Sequence, residues 1–193
     1  MILVTGGAGF VGSHVVDELV AAGCEVRVLD SLLPAAHAVR PGYLNPDAEF
    51  VEGDVADPDA VDRALEGVDA VCHQAAMVGL GLDMLDVEDY VRHNDLGTAV
   101  VLKRLAANRF RGRLVLASSM VVYGEGAYRC PAHGRVAPMP RSVANLVAAR
   151  FAARCPECDG ELMPIAVEES SPLDPRNVYA ATKVHQEHLC FAF

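Results

Sequence analysis

The sequence lacks the features that mark two large classes of partner. No apolar run approaches the roughly 20 residues that a membrane span needs, so we expect no membrane partner. An excess of positive charge is also missing, because the formal net charge is −10 at pH 7. A chain this acidic is unsuited to binding phosphate backbones through bulk charge, and we expect no nucleic-acid partner.

We also expect no secretory signal. The opening residues, "MILVTGG", lead directly into a predicted strand rather than into the regions of a signal peptide. Six cysteines in such a chain favour reduced thiols or a metal site over disulfides, and the expected compartment is the cytoplasm. What the chain does have is 193 residues that are 52% hydrophobic, enough to bury one domain core.

Strand and helix patterns alternate along the first part of the chain. Short apolar runs predict five strands, at Ile2–Thr5, Val26–Asp30, residues 49–54, Ala70–His73 and residues 113–118. Helical spacing of apolar residues predicts helices from residue 11 to a stop at Gly23, at Pro58–Leu65 and at residues 86–108. This alternation predicts an α/β fold, a Rossmann-type doubly wound parallel sheet with right-handed crossovers.

A stretch rich in Pro, Gly, Cys and Arg interrupts this alternation at residues 125–171. Within it, only residues 142–153 have a helical pattern, and helical spacing returns from residue 178 to the end. We therefore predict a nucleotide-binding domain made of residues 1–124 and 172–193, with a separate insertion at residues 125–171.

The segment "TGGAGFVG" joins the first predicted strand to the first predicted helix. Gly6 permits a tight turn, Gly9 lets the backbone approach a pyrophosphate, and Gly12 lets helix and strand pack closely. The phosphates would lie at the helix N-terminus, where free N–H groups favour anions. Asp30, at the end of the second strand, can accept a ribose hydroxyl and repel a 2′-phosphate, which favours NAD. A purely structural glycine turn is the alternative.

Six short motifs follow one another through nearly the whole chain: "TGGAGFVG", "GDVAD", "HQAA", "NDLGT", "SSMVVYG" and "YAATK". In this order they resemble the extended short-chain dehydrogenase/reductase family, the NAD-dependent nucleotide-sugar epimerases and dehydratases. The resemblance implies cofactor-binding roles for Phe10, Val11, Asp54, Val55, Ala75, Ala76, Asn94, Tyr179 and Lys183, beside Gly6, Gly9, Gly12 and Asp30. Among these, Asn94 is expected to support the active-site strand.

Tyr179 and Lys183 are four residues apart on a predicted helix and therefore share one face. A free tyrosine has a pKa of about 10, and a nearby ammonium favours the phenolate that a base requires. Ser119, at the end of the fifth strand, is the third member of the catalytic set that the resemblance implies. The alternative is that Tyr179 and Lys183 are an ordinary surface pair.

The two residues after Ser119 separate the subfamilies. The resemblance implies an Asp-Glu pair there in 4,6-dehydratases, and a Glu at the second position in nucleotide-sugar decarboxylases. This chain has Met120 and Val121, which cannot move protons. We therefore predict a nucleotide-sugar 4-epimerase, with a dehydrogenase or dehydratase as the alternative.

The insertion contains two pairs of metal-binding residue types, Cys130 with His133 and Cys155 with Cys158. Each pair has the form C-P-x-[H/C] with a glycine close behind, and the pattern resembles the knuckles of a zinc ribbon. Four such ligands predict a closed structural zinc site that stabilises a small insertion and shapes the substrate pocket or a subunit interface. A disulfide, or four incidental residues, are the alternatives.

Family members are longer than this chain, so their substrate-binding second half is expected to be missing here. The chain would then be an inactive NAD-binding fragment or sensor, and an interaction protein built on the zinc ribbon is a third hypothesis. The resemblance also implies a homodimer, formed through the helix at residues 86–108 and the last helix.

Overall fold

A computed structural model describes residues 1–79 and 84–193. The chain forms two compact units, which we call the first unit (Met1–Ser118 with Asn177–Phe193) and the second unit (Ser119–Arg176). The predicted insertion, residues 125–171, lies inside the second unit. Among the described residues, no helix is long and apolar enough to cross a membrane.

The first unit is built on a five-stranded parallel sheet, as the sequence predicts. Its strands are β1 (Ile2–Thr5), β2 (Val26–Asp30), β3 (Glu49–Glu52), β4 (Ala70–His73) and β5 (Arg113–Leu116), in the order β3-β2-β1-β4-β5. Because the order reverses direction beside β1, the carboxyl ends of β1 and β4 border a crevice, which is where doubly wound sheets bind ligands.

Helices cover both faces of this sheet. They are α1 (Phe10–Ala21), α2 (Pro58–Leu65), α3 (Val87–Tyr90), α4 (Gly97–Ala107) and, after the second unit, a C-terminal helix at Val178–Ala192. Neighbouring strand residues serve opposite faces, since Leu3 joins the larger hydrophobic cluster with α2 and α4, while Val4 joins a smaller one with Val16 of α1. The glycine-rich segment between β1 and α1 is therefore held at each end by one of these two elements.

The helix predicted at residues 86–108 is not a regular α-helix. It begins with a 3-10 turn at Met84–Asp86, and a π-helical segment, Val91–Leu96, joins α3 to α4. The wider π turn holds Asn94, whose side chain is fully buried. Such turns are frequent at functional sites.

The second unit is a small antiparallel structure. Its sheet contains β6 (Ala127–Cys130), β7 (Gly134–Val136) and β8 (Met163–Ile165), in the order β7-β6-β8. A 3-10 turn at Met120–Tyr123 precedes the sheet, and α5 (Val143–Val147) follows β7. The C-terminal helix is therefore α6.

The helix predicted at residues 142–153 is shorter in the structure. Ser142 caps α5 through its side chain, which accepts a hydrogen bond from the Asn145 N–H. The helix ends at Val147, and Ala149 adopts a left-handed conformation with φ of 55°, which stops further helical hydrogen bonding.

Candidate functional site

The glycine-rich turn of the first unit brings strand, helix and the next strand end into close approach. Gly6 has φ of +70°, and a Cβ there would lie 2.6 Å from the Ala75 backbone nitrogen. A Cβ on Gly12 would collide with the carbonyl oxygen of Gly6. Gly9 caps α1 without a side chain, so the helix N-terminus stays open to an anion.

A cleft of about 590 Å³ opens beside this turn at the carboxyl ends of the strands. Its lining includes the predicted cofactor residues Gly6, Gly9, Phe10, Val11, Gly12, Asp30, Asp54, Val55, Ala75, Ala76, Tyr179 and Lys183. The structure thus gathers residues from distant parts of the sequence around one concave surface. Asn94, by contrast, lies behind the cleft wall.

The Asp30 side chain is held in place by backbone donors. One carboxylate oxygen accepts the Ala8 N–H at 3.0 Å and the other accepts the Leu32 N–H at 2.9 Å. Each oxygen keeps a further lone pair for a ligand hydroxyl. The carboxylate therefore presents a fixed negative charge at the end of β2.

Tyr43 is a cleft residue that the sequence did not reveal. Its hydroxyl donates to the Ala8 carbonyl at 2.8 Å, and Asn45 of the same loop donates to Asp17 of α1 at 2.8 Å. These two bonds attach the loop after β2 to the glycine-rich turn and to α1.

Asn94 holds the loop that forms one wall of the cleft. Its side chain accepts the Met77 N–H at 2.7 Å and donates both to the Met77 carbonyl at 3.1 Å and to the Thr182 hydroxyl at 2.9 Å. One buried amide thus ties the chain after β4 to α6. The roles predicted for Asn94, in cofactor binding and in supporting the active-site strand, stay predictions.

Tyr179 and Lys183 lie in the first turns of α6. The helix starts at Val178 because Asn177 caps it, accepting the Ala180 N–H at 2.7 Å. The Lys183 ammonium nitrogen is 5.8 Å from the Tyr179 ring centre and donates to the Ala117 carbonyl at 2.9 Å. Burial lowers the pKa of Lys183 to about 8, against a smaller raising effect of Glu187.

A buried polar chain connects the sheet to α6. His73 contacts the Thr5 hydroxyl through Nδ1 at 2.6 Å and the Thr98 hydroxyl through Nε2 at 3.0 Å. The Gln186 side chain donates to the Thr98 hydroxyl and, at 3.2 Å, to the Asn94 carbonyl. Burial, with a smaller contribution from Lys183, lowers the pKa of His73 to about 4, so the imidazole is neutral at pH 7.

The two serines that follow β5 belong to different units. Ser118 lines the cleft and donates to the Glu187 carboxylate of α6. Ser119, the serine predicted to be catalytic, is the first residue of the second unit and caps the turn at Met120–Tyr123, accepting the Val121 N–H at 3.4 Å.

The second unit brings the predicted metal-binding residues together. The ligand atoms of Cys130, His133, Cys155 and Cys158 all lie within 4.8 Å of one another. The sulfur of Cys130 is 3.6 Å from His133 Nδ1 and 3.7 Å from the Cys158 sulfur, and the Cys155 sulfur is 3.5 Å from His133 Nδ1. All of the cysteines are free thiols, so the predicted alternative of a disulfide is wrong.

The two knuckles differ in the residue that makes the tight turn. In the first knuckle Gly134 has φ of +70°, but in the second the left-handed residue is Asp159 rather than Gly160. Aspartate tolerates this conformation better than most residues.

Residues 2–145 match the NAD dependent epimerase/dehydratase family. The chain is 35% identical over 202 residues to dTDP-L-rhamnose 4-epimerase of Burkholderia thailandensis. The alignment covers 100% of this chain and 53% of that protein. Among solved structures, a double mutant of dTDP-glucose 4,6-dehydratase from Streptomyces venezuelae, with NAD and DAU bound, is 30% identical with a TM-score of 0.71, covering 100% of this chain and 51% of that one.

The UDP-glucose 4-epimerase of Thermus thermophilus, solved in complex with NAD, is 28% identical with a TM-score of 0.67 and covers 99% of this chain and 50% of that one. The chain therefore spans about half the length of the relatives that it matches.

Proposed function

Because the chain belongs to the NAD-dependent epimerase/dehydratase family, we propose that it is the NAD-binding part of a nucleotide-sugar 4-epimerase. The observation that carries the proposal is one cleft that combines an open helix N-terminus, the fixed carboxylate of Asp30, and the pair Tyr179 and Lys183. A binding protein without chemistry has no use for that pair.

Several features of the cleft fit NAD. The pyrophosphate would lie against the turn from Gly6 to Gly12, whose glycines leave room for the backbone to approach it. The Asp30 carboxylate would accept a ribose hydroxyl and repel a 2′-phosphate. Two relatives of known structure, described above, were solved with NAD bound.

The proposed reaction oxidises and then re-reduces one sugar carbon. Bound NAD would supply the hydride acceptor. Tyr179 would remove the proton from the C4 hydroxyl as the C4 hydride leaves, which gives a transient 4-ketone. Once the ketone has rotated within the site, hydride would return to its opposite face and Tyr179 would give the proton back, so atoms and electrons balance without a further reactant.

Lys183 and Ser119 would assist the proton transfer. The Lys183 ammonium near Tyr179 favours the phenolate, and its bond to the Ala117 carbonyl fixes its direction. Ser119 would be the third member of this catalytic set, as the family resemblance implies. Met120 and Val121 follow it and carry no group that moves protons, which supports epimerisation over dehydration.

The test is proton NMR of UDP-, dTDP- and GDP-sugars incubated with NAD and the protein, in this form and extended. A C4 epimer formed by the extended form identifies the activity and its substrate together. A stable 4-keto product would contradict the epimerase proposal and indicate a dehydrogenase or dehydratase. Bound NAD without turnover by either form would contradict it in favour of an NAD-binding module.

We also propose that the second unit holds one structural zinc ion and that the whole protein is a homodimer. The zinc proposal is supported by the four converging ligand atoms of Cys130, His133, Cys155 and Cys158. Four protein ligands leave no open coordination position, so the ion would take no part in hydride transfer.

A further inference from the structure

Three separations within the metal-binding cluster match those of a tetrahedral zinc site. Zinc–sulfur bonds of about 2.3 Å and zinc–nitrogen bonds of about 2.0–2.1 Å, set at tetrahedral angles, place two sulfurs about 3.8 Å apart and a sulfur and a nitrogen about 3.6 Å apart. The corresponding separations are 3.7 Å between Cys130 and Cys158, and 3.6 Å and 3.5 Å from His133 to Cys130 and Cys155.

The same residues form much of the interior of the second unit. Its hydrophobic cluster has four buried members, Cys130, Ala153, Cys155 and Leu162, with Tyr128 and Val136 packed against them. Two of those four are metal ligands. Without these two, the cluster keeps one buried leucine, Leu162, one buried alanine and two partly buried side chains, which supply little burial free energy for a unit of this length.

The strands and the helix of this unit are too short to be stable on their own. Its strands have four, three and three residues, and α5 has five. Isolated helices of this length are marginal, and short hairpins need a packed face. The two knuckles are far apart in sequence, so they need a contact that joins β6 to the chain around Cys155.

We infer that a zinc ion is the folding determinant of the second unit, so that this unit is ordered only when the metal is bound and the first unit folds without it. The inference rests on the zinc site proposed above and extends it from a ligand set to a switch between two states of one unit. Binding free energy at such a site becomes folding free energy, because the unfolded chain has no preformed ligand set.

The first unit provides the internal contrast. Its larger hydrophobic cluster contains twelve buried residues and no metal-ligand set, and its parallel strands pair along their whole length. Removing zinc should leave these residues as protected as before.

The test uses the whole 193-residue chain. Metal content is measured by native mass spectrometry, and amide hydrogen exchange is then compared with zinc bound, after chelation, and after zinc is returned. We expect about one zinc per chain. We also expect chelation to reduce protection across Ser119–Arg176 by roughly 100-fold, reversibly, with changes within about threefold elsewhere.

Matched cysteine variants separate the site from general thiol effects. Cys155→Ser should lose stoichiometric zinc and the protection of the second unit, whereas Cys24→Ser, a cysteine of the first unit, should lose neither. Because Cys155→Ser could also disturb packing, cobalt titration of the chelated wild-type chain gives an independent reading, since tetrahedral thiolate coordination has its own visible absorption.

Two results would overturn the inference in different ways. In the first, the purified protein contains stoichiometric zinc, but the second unit is equally protected after chelation. That result would support the metal site and refute metal-dependent folding. A folded second unit purified without any metal, and unable to take up cobalt, would refute the site itself. Neither result tests the proposed epimerase activity of the untreated protein, which is read separately by NMR.

Discussion

The two units solve the same packing problem with different chemistry. In the first, strand residues such as Leu3 and Val4 face opposite layers, and each layer contains several interchangeable aliphatic side chains. In the second, two of the four residues in the hydrophobic cluster are thiols directed at a common point. A distributed apolar core tolerates single changes, whereas a ligand set does not, so the first unit is specified by periodicity and the second by a few exact residue types.

The largest expected effect comes from the first unit. Tyr179→Phe removes the proposed base but keeps its ring, so turnover of the nucleotide sugar should fall by roughly 10³-fold. NAD affinity, measured by fluorescence titration, should change little. Tyr128→Phe, in the second unit, is the matched control and should keep full turnover; an active Tyr179→Phe variant would remove this residue from the mechanism.

A second prediction concerns His73. Because of this residue, the first unit should become less stable as pH falls. Its folded pKa of about 4 lies below the ordinary value of about 6.5, so below pH 6.5 the unfolded chain binds more protons. The free energy of unfolding should therefore decrease from pH 6.5 to 4, by up to about 3 kcal/mol from this residue.

Denaturant unfolding across this pH range checks the prediction. His73→Gln should be less stable than wild type at pH 7, and the difference should shrink toward pH 4 because the variant has no imidazole to protonate. His188→Gln, an exposed histidine of α6, should follow the wild-type curve. Parallel curves for wild type and His73→Gln would disprove the assignment.

Ser118 and Ser119 lie on either side of the boundary between the two units, and their alanine variants should differ in activity. Ser119→Ala should reduce kcat by about 10- to 100-fold, because a substrate hydrogen bond made in the transition state is lost. Ser118→Ala loses only its bond to Glu187 and should stay within about threefold of wild type. The opposite ranking would show that the motif alignment is shifted by one residue.

Chelation of zinc should affect sugar turnover more strongly than NAD affinity. Ser119 begins the second unit, while the residues of the proposed NAD cleft belong to the first. We therefore expect chelation to lower sugar turnover by about tenfold or more and to change NAD affinity by less than about twofold. Equal losses in both measurements would contradict the separation.

The smallest expected effect is on cofactor choice. Asp30→Ala should weaken NAD binding by about tenfold and improve the ratio of NADP to NAD affinity, since the repulsion of a 2′-phosphate is removed. Asp47→Ala, a control in the loop after β2, should leave both affinities unchanged. Isothermal titration with each dinucleotide gives the comparison directly.

Sequence alone predicted the first unit well because its strands are short apolar runs bounded by turns. It missed the three strands of the second unit. β8 contains Pro164, which lacks the N–H of a central strand, and it is tolerated because β8 lies at the edge of its sheet. β7 has three residues, too few for an alternating pattern to be recognised.

The buried polar chain was also missed, although a signal for it exists. Thr182 and Gln186 lie on the same face of α6 as Tyr179 and Lys183, at spacings of three and four residues. A helix with polar residues on the face that it buries must find partners for them. His73 and Thr98 provide some of these, but no sequence pattern connects residues so far apart along the chain.

The π segment at Val91–Leu96 also sets the rotational phase of everything that follows it. Each residue of an α-helix turns the chain by about 100°, so deleting one residue from this segment would rotate α4 by that angle relative to α3. Asn94 faces Met77 and Thr98 faces His73, and a single deletion could keep only one of these alignments. Length changes in this helix therefore cost more than substitutions, even at its exposed positions.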